Sequence, residues 1–422
     1  MYVSATRWPR LASVPANVLA LGAVSMVTDV SSEMVTAVLP MYLVLSLGLS
    51  PLAFGVIDGL YFGVTALVRL AGAHAADRWQ RRKLVAVLGY ALSAACRVGL
   101  LAAGGSVAAL GAVVAADRAG KGLRTGPRDA LISLSASPGA LGQAFGVHRA
   151  MDTAGAFLGP LVAFGLLAAT GGAYDAVFVT SFCVAVAGVL LMVLYVRDRR
   201  EPLLAGDRVS VRRVPRDTPL LQLCAVAAAL GLVTVSDAFV YLLLQKRLAL
   251  SPELFPLLPL GTAAAYLLLA VPFGRLADRA GRFAVFLGGH AVLVVLYGFL
   301  ALPSAGGWLL AVALAALGVF YAATDGVLMA AAGPLVPAHL RTSGLAMVQT
   351  GQAVGRLLSS VLFGALWTTA GAEPGLAVMG VGVAVCAVAS WSVLRRVEPG
   401  AEPRVVPGNR SEVPPGGERG AR

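Results

Sequence analysis

Charge is what this chain has least of: 13% of its 422 residues are Asp, Glu, Lys or Arg, against roughly 25% in ordinary soluble domains. No segment is polar and long enough to fold as a separate domain, which argues against a sensor or scaffold. Cysteine is equally thin, with Cys96, Cys183, Cys224 and Cys386 standing singly among apolar residues. Isolated cysteines of that kind read as small core residues rather than as metal or redox chemistry. The four histidines (His74, His148, His290, His339) are scattered, and the chain has no HExxH, GxSxG, CxxC or phosphate-binding GxxxxGK[ST]. A membrane enzyme and an ATP-driven pump are disfavoured on that ground, and no metal or cofactor is expected. The N-terminus has no short apolar stretch with a cleavage site, so no removed signal peptide is expected.

What fills the chain instead is apolar sequence, 58% of all residues, with a mean hydropathy of +0.82. A spanning helix needs about 20 mainly apolar residues. Candidate spans fall at 14–46, 51–75, 84–104, 106–136, 141–170, 174–196, 218–245, 253–275, 283–303, 307–336, 342–370 and 375–395. The expected fold is therefore an all-α polytopic membrane protein with twelve transmembrane helices. It divides into a tail (1–13), a six-helix bundle (14–196), a linker (197–217), a second six-helix bundle (218–396) and a disordered tail (397–422). The net charge of +12 would suggest nucleic acid in a soluble protein, but topology explains it here. With these spans, 23 of the 33 Lys and Arg fall on one side of the bilayer, and only Lys246 and Arg247 fall in loops on the other. The positive-inside rule then puts both termini in the cytoplasm of a cell whose inner (plasma) membrane the chain crosses.

The two bundles echo each other. Val24-Ser25-Met26-Val27-Thr28-Asp29 in span 1 resembles Leu232-Val233-Thr234-Val235-Ser236-Asp237 in span 7. Ala76-Asp77-Arg78-Trp79-Gln80-Arg81-Arg82 after span 2 resembles Ala277-Asp278-Arg279-Ala280-Gly281-Arg282 after span 8. Gly155 and Gly159 in span 5 match Gly351 and Gly355 in span 11, a spacing of four that allows close helix contact. Two parallel repeats about an axis along the membrane normal are a known transporter plan, with the substrate cavity at their centre.

Specific motifs accompany the repeats. Gly274-Arg275-Leu276-Ala277-Asp278-Arg279-Ala280-Gly281-Arg282 closely matches a G-x-L-a-D-r-x-G-r loop signature. The first copy has Ala73 and Gln80 at its glycine positions but keeps Asp77, Arg78, Arg81 and Arg82. Arg118-Ala119-Gly120-Lys121-Gly122 is similar to an R-x-x-q-G element, with Lys for Gln. On these motifs, residues 14–396 resemble the major facilitator superfamily of secondary transporters. Gly155-Ala156-Phe157-Leu158-Gly159-Pro160 is similar to the start of a motif in that family's proton-coupled exporters, although Leu161-Val162-Ala163 replace the glycine pair that usually follows. The resemblance implies alternating access by a monomer. In the loops, Asp77, Arg78, Arg81, Arg82, Asp278, Arg279 and Arg282 would latch one conformation through carboxylate–cation pairing or helix capping; topology-setting charge is the plainer account.

Charge inside spans is expensive and points to function. The densest stretch is Ala115 to Asp129 in span 4, where Asp117 lies roughly 16 Å deep at 1.5 Å per residue. Gly126-Pro127 is expected to kink or end that helix. Asp29 and Glu33 share a face of span 1 beside Ser32, and Arg149 and Asp152 share a face of span 5 beside His148. Asp29 or Glu33 with Arg118 is the first candidate for a proton switch; Asp152 with Arg124 or Arg149 is the second. A static buried ion-pair network is the alternative. Ser32, Lys121, Arg124, Arg149, Asp237 and Asp325 are candidate substrate contacts. Asp58 and Arg97, at similar depth, are expected to pair. The second bundle, with Asp237, Asp325 and Arg356 singly placed, is expected to offer a more apolar wall that includes Tyr241, Tyr266, Phe320, Tyr321 and Trp367.

The expected function is secondary active transport of a small molecule, coupled to protons in the export direction. Proton-coupled import, or uniport, of an anionic metabolite is the alternative, favoured by the cations of span 4. Expected partners are the substrate, protons and the lipid bilayer, with no nucleic acid.

Overall fold

Hydrocarbon offers the backbone no hydrogen-bond partners, so apolar segments of this length close their bonds internally as helices. The computed structural model describes residues 14–79, 81–137, 140–198, 218–302, 306–336 and 341–395, with no strand among them. The first half comprises α1 (Ala16–Met41), α2 (Pro51–Trp79), α3 (Arg82–Ala102), α4 (Val107–Ser135), α5 (Leu141–Thr170) and α6 (Tyr174–Tyr195). The second comprises α7 (Thr218–Val233), α8 (Asp237–Leu248), α9 (Leu257–Ala280), α10 (Arg282–Ala301), α11 (Trp308–Ala332), α12 (Arg341–Ala370) and α13 (Ala372–Leu394). Eleven of the resulting spans are long and apolar enough to cross a membrane, with α7 and α8 together forming one. The twelfth is α4, 29 residues long and the most charged. The tails 1–13 and 396–422 and the linker from 199 to 217 lie outside the described residues.

Three local departures from the expected spans have identifiable causes. Span 7 was expected as one helix over 218–245, but it breaks at Thr234–Ser236, where Ser236 is extended. Thr234 Oγ1 bonds back to Leu230 O (2.7 Å). The freed backbone is satisfied from neighbouring helices: Ser359 Oγ donates to Thr234 O (2.6 Å), and Val235 N donates to the Tyr297 hydroxyl (2.9 Å). Irregular backbone at membrane depth survives only where such partners exist. At the end of α1, Pro40 removes one donor from the ladder, and residues Tyr42–Ser46 continue as a π-helix. By contrast α4 runs unbroken through Gly126-Pro127 to Ser135.

Asn17 donates to Ser135 Oγ and to Arg197 O, so the start of α1 and the ends of α4 and α6 share one end of the bundle, called proximal below. Arg247, at the end of α8, reaches both Leu302 O and Glu373 Oε1, which marks the distal end. The same packing device serves both halves. A Cβ on Gly155 would strike Met26 O, and one on Gly159 would lie 2.7 Å from Glu33 Cβ, so α5 lies against the backbone of α1. In the second half, a Cβ on Gly355 would strike Ala228 O and fall 3.0 Å from Leu232 N, setting α12 against α7. The halves meet along α2 and α12 in their distal portions. A Cβ on Gly59 would lie 2.8 Å from Leu357 O, Leu52 N donates to Thr368 Oγ1 (3.1 Å), and Phe239 of α8 stacks on both Phe54 and Phe363 at 4.9 Å.

Candidate functional site

Two polar regions stand out inside the bundle. The first is a ladder between the antiparallel α1 and α4. Steps of about one turn on each helix bring successive side chains opposite one another. Arg128 Nη1 donates to Ser25 Oγ (3.0 Å), Arg124 Nη2 lies 3.8 Å from Asp29 Oδ1, and Lys121 Nζ lies 3.9 Å from Glu33 Oε1. From α5, His148 Nε2 reaches Ser25 Oγ (3.0 Å), while Asp152 faces Arg128 (3.6 Å) and Arg149 (3.8 Å). Arg128 also binds Asp129 at 3.0 Å. The Asp29 and Asp152 carboxyls approach within hydrogen-bonding reach of each other. Two carboxyls so placed can share one proton. Tyr90 of α3 floors this group, its ring 4.4 Å from the Arg124 guanidinium carbon.

Above the ladder, Asp117 sits between two guanidinia. Arg118 grips it through Nε (2.9 Å) and a second nitrogen, and Arg97 Nη2 lies 3.1 Å away while also donating to Ser32 Oγ (3.2 Å). The Arg118 carbon lies 4.1 Å from the centre of the Tyr61 ring. These three charged side chains are only 3 to 8% exposed, whereas Lys121 and Glu33 keep 32% and 25%. The triad reads as fixed structure; on the ladder the Lys121–Glu33 rung is the accessible one, whereas Arg124 is only 4% exposed.

This geometry corrects several expected pairings. Arg118 is committed to Asp117, so the partner of Asp29 is Arg124 and that of Glu33 is Lys121. Asp152 pairs with Arg149, as expected, but with Arg128 rather than Arg124. The expected Asp58–Arg97 couple does not form: Asp58 faces the other half and accepts from Ser360 Oγ (2.7 Å). Depth along a span was legible, but azimuth was not. Asp117, Ser25 and Tyr90 were not among the expected site residues, although Asp117 lies in the densest charged stretch and Ser25 in the repeat one turn before Asp29.

The second region is a cavity of about 410 Å3 between the halves, walled by α1, α2, α8, α9 and α11. Pockets of this size take small organic molecules. Asp237 and Asp325 line it as expected, and so does Asp58. Ser32, Lys121, Arg124 and Arg149 are not among its lining residues; Ser32 belongs with the Arg97–Asp117 group and the other three with the ladder. The second half is not merely an apolar wall, although Asp237, Asp325 and Arg356 form no ion pair among the described residues. Tyr321 donates to Asp237 Oδ2 (2.7 Å), and Arg356 lies 5.5 Å from the Tyr321 ring centre and 5.8 Å from that of Phe62. The break before α8 creates this arrangement, because it turns Asp237 to the head of a new helix at the cavity wall. Of the expected aromatics, Tyr241, Tyr266 and Tyr321 line the cavity, whereas Phe320 is buried in the core and Trp367 packs on Phe239 and Phe363.

In the proximal loop between α9 and α10, Gly281 adopts φ +100, a conformation that suits glycine. Arg282 lies 3.7 Å from Asp278 and donates to Ala330 O (2.9 Å), tying α10 to the end of α11; Arg279 is exposed. In the first copy Arg81 is exposed ahead of α3 and Arg82 is buried. The side chains of Asp77 and Arg78 lie outside the described residues. Pro160 is buried in α5 one residue past Gly159. Among the described residues no group of three His, Cys, Asp or Glu could hold a metal ion.

The family model described as Major Facilitator Superfamily matches residues 21–242 and again 221–417. An uncharacterised MFS-type transporter of Methanocaldococcus jannaschii is 31% identical over 363 residues, covering 83% of this chain and 88% of the relative. Among solved structures, the nucleoside transporter NupG superposes with a TM-score of 0.74 at 14% identity, covering 90% of this chain and 99% of that one. The peptide transporter POT in complex with sulfate gives 0.69 at 16% identity, covering 92% and 96%. At such identities these structures share the fold.

Proposed function

The chain belongs to the major facilitator superfamily, and from that premise we propose that it is a proton-coupled exporter working by alternating access. Substrate binds in the central cavity, and protons bind in the first half at Asp29 and Asp152. The observation that carries the coupling is the contact of these two carboxyls beside Arg124 and Arg128. With both carboxylates ionised, their repulsion is offset by the two guanidinia. A shared proton removes one charge, weakens the hold on Arg124 and changes which packing of α1 on α4 is favoured. Glu33 and Lys121, the most open rung, give the proton a path to water.

The distribution of Lys and Arg supports a plasma-membrane protein whose proximal end faces the cytoplasm. The α2–α12 seam then faces outward, which supports loading of substrate from inside. Gly155 and Gly159 support export, because the α5 motif they open packs directly on the Asp29–Glu33 face of α1. Import of an anionic metabolite has less support, since the cations of α4 face carboxylates within their own half. The loop groups Asp278 and Arg282 serve as a proximal latch, one subunit forms the complete path, and substrate, protons and lipid are the partners.

The test uses the purified protein in liposomes loaded with a pH-sensitive dye, under an imposed proton gradient and with pools of small molecules. Substrate-dependent proton efflux and influx distinguish the two directions. Asp29→Asn is expected to lower gradient-driven transport at least about 10-fold while substrate binding persists, a change of about 1.4 kcal/mol in coupling. Wild-type coupling in both Asp29→Asn and Asp152→Asn would sink the proposal.

A further inference from the structure

All the charged side chains on the wall of the central cavity are acidic. Asp58, Asp237 and Asp325 line it, and among the described residues none of the three forms an ion pair. Asp58 accepts from the Ser360 hydroxyl and Asp237 from that of Tyr321. Asp325 has no hydrogen-bonding side chain to answer it and is open to the cavity. The nearby cation, Arg356, is not among the lining residues and forms no ion pair with the three among the described residues, although its charge acts on all of them. It lines a small adjoining cavity with Asp237, Tyr321 and Phe62.

The remaining wall is apolar and aromatic, with Tyr61, Phe62, Tyr241 and Tyr266 contributing rings. A carboxylate in such surroundings is costly unless a cation answers it. Aromatic rings also favour a cation with an apolar body, whose charge can lie over a ring face once desolvated. An anionic occupant would meet three carboxyls and no cation among the lining residues. We propose that the central cavity binds an organic cation with an apolar body, such as a hydrophobic amine or a quaternary onium ion, and that Asp325 and Asp237 are its charge partners. The proposal rests on reading this cavity as the transport site, and it is independent of how transport is coupled.

The test is equilibrium binding to the full chain in lipid nanodiscs, without any gradient and with empty nanodiscs subtracted. The probes are tetraphenylphosphonium and tetraphenylborate, two ions of closely similar shape and opposite charge, measured separately. Saturable tetraphenylphosphonium binding, at least about 10-fold tighter than any saturable tetraphenylborate binding, is expected. Asp325→Asn and Asp237→Asn should each weaken it about 10-fold or more, whereas Asp325→Glu should stay within about threefold. Asp175→Asn, an exposed carboxylate at the distal start of α6, should change nothing. No saturable tetraphenylphosphonium binding, equal affinity for both ions, or undiminished binding in both Asn variants would overturn the proposal. Binding that survives in Asp29→Asn while proton flux fails would sever the cation site from the coupling mechanism without harming it. Proton flux with a non-cationic pool, alongside no onium binding, would do the reverse.

Discussion

Asp29 and Asp237 occupy the same place in the two internal repeats, yet the halves use them in opposite ways. Asp29 sits in an unbroken helix, held between Arg124 on α4 and the Asp152 carboxyl on α5. Asp237 begins a new helix after a break, meets one tyrosine hydroxyl, and faces the cavity. The packing around them is shared, since small residues on α5 and on α12 bring each helix against the backbone of its neighbour. Duplication preserved the scaffold, and the chemistry diverged on it. One half is wired with ion pairs inside itself; the other turns its carboxylates toward the space between.

The sharpest way to test that division is to remove a carboxylate from each half. Asp117 holds two buried guanidinia, so Asp117→Asn should destabilise the protein by about 3–5 kcal/mol, the usual cost of stranding a buried charge. Asp325 grips no guanidinium in an ion pair among the described residues, Arg356 acting on it only at longer range, and Asp325→Asn should fall within about 1 kcal/mol of wild type or above it. Thermal unfolding in the same lipid environment measures both, and equal losses would erase the distinction.

The shared packing makes a second contrast, smaller in size. A Cβ at Gly155 meets backbone of α1, so Gly155→Ala should cost about 1–3 kcal/mol as α5 is pushed away. At the matching Gly351, the nearest atom to a new Cβ is Cys224 O at 3.3 Å, and Gly351→Ala should lie within about 0.5 kcal/mol, helped by alanine's better helix propensity. Unfolding midpoints that fall equally would mean the two interfaces are more alike than the contacts indicate.

The smallest contrast is between two tyrosine hydroxyls. Tyr321 donates to Asp237, whereas the Tyr90 hydroxyl is buried without a hydrogen-bond partner among the described residues although its ring supports Arg124. Tyr321→Phe should cost about 1–2 kcal/mol, and Tyr90→Phe should be neutral or slightly stabilising while keeping the ring. A measurable loss in Tyr90→Phe would reveal a partner for that hydroxyl in another conformation.

Much of this was legible in the chain. Hydropathy located the spans to within a few residues at most ends, because a helix is the only way an isolated apolar segment can satisfy its backbone in lipid. Gly155 and Gly351 marked interfaces because close approach needs small residues at a spacing of four. The charges of α4 marked a working region because lipid tolerates few of them. What failed was partner assignment. Asp58 and Arg97 lie at matching depths but on faces that look toward different helices, and Arg118 found its carboxylate one residue away.

Sequence by itself determined the number of crossings, the duplication, the family, and which residues carry buried charge, since each follows from composition, period or motif along one dimension. Only the tertiary structure decided which carboxylate meets which cation, that span 7 breaks ahead of Asp237, and that Arg356 is not among the residues lining the cavity. Those outcomes depend on rotation about helix axes and on partners hundreds of residues apart in the chain, such as Ser360 for Asp58. A pairing energy that falls off within a few ångströms is settled by those rotations, which no local pattern records.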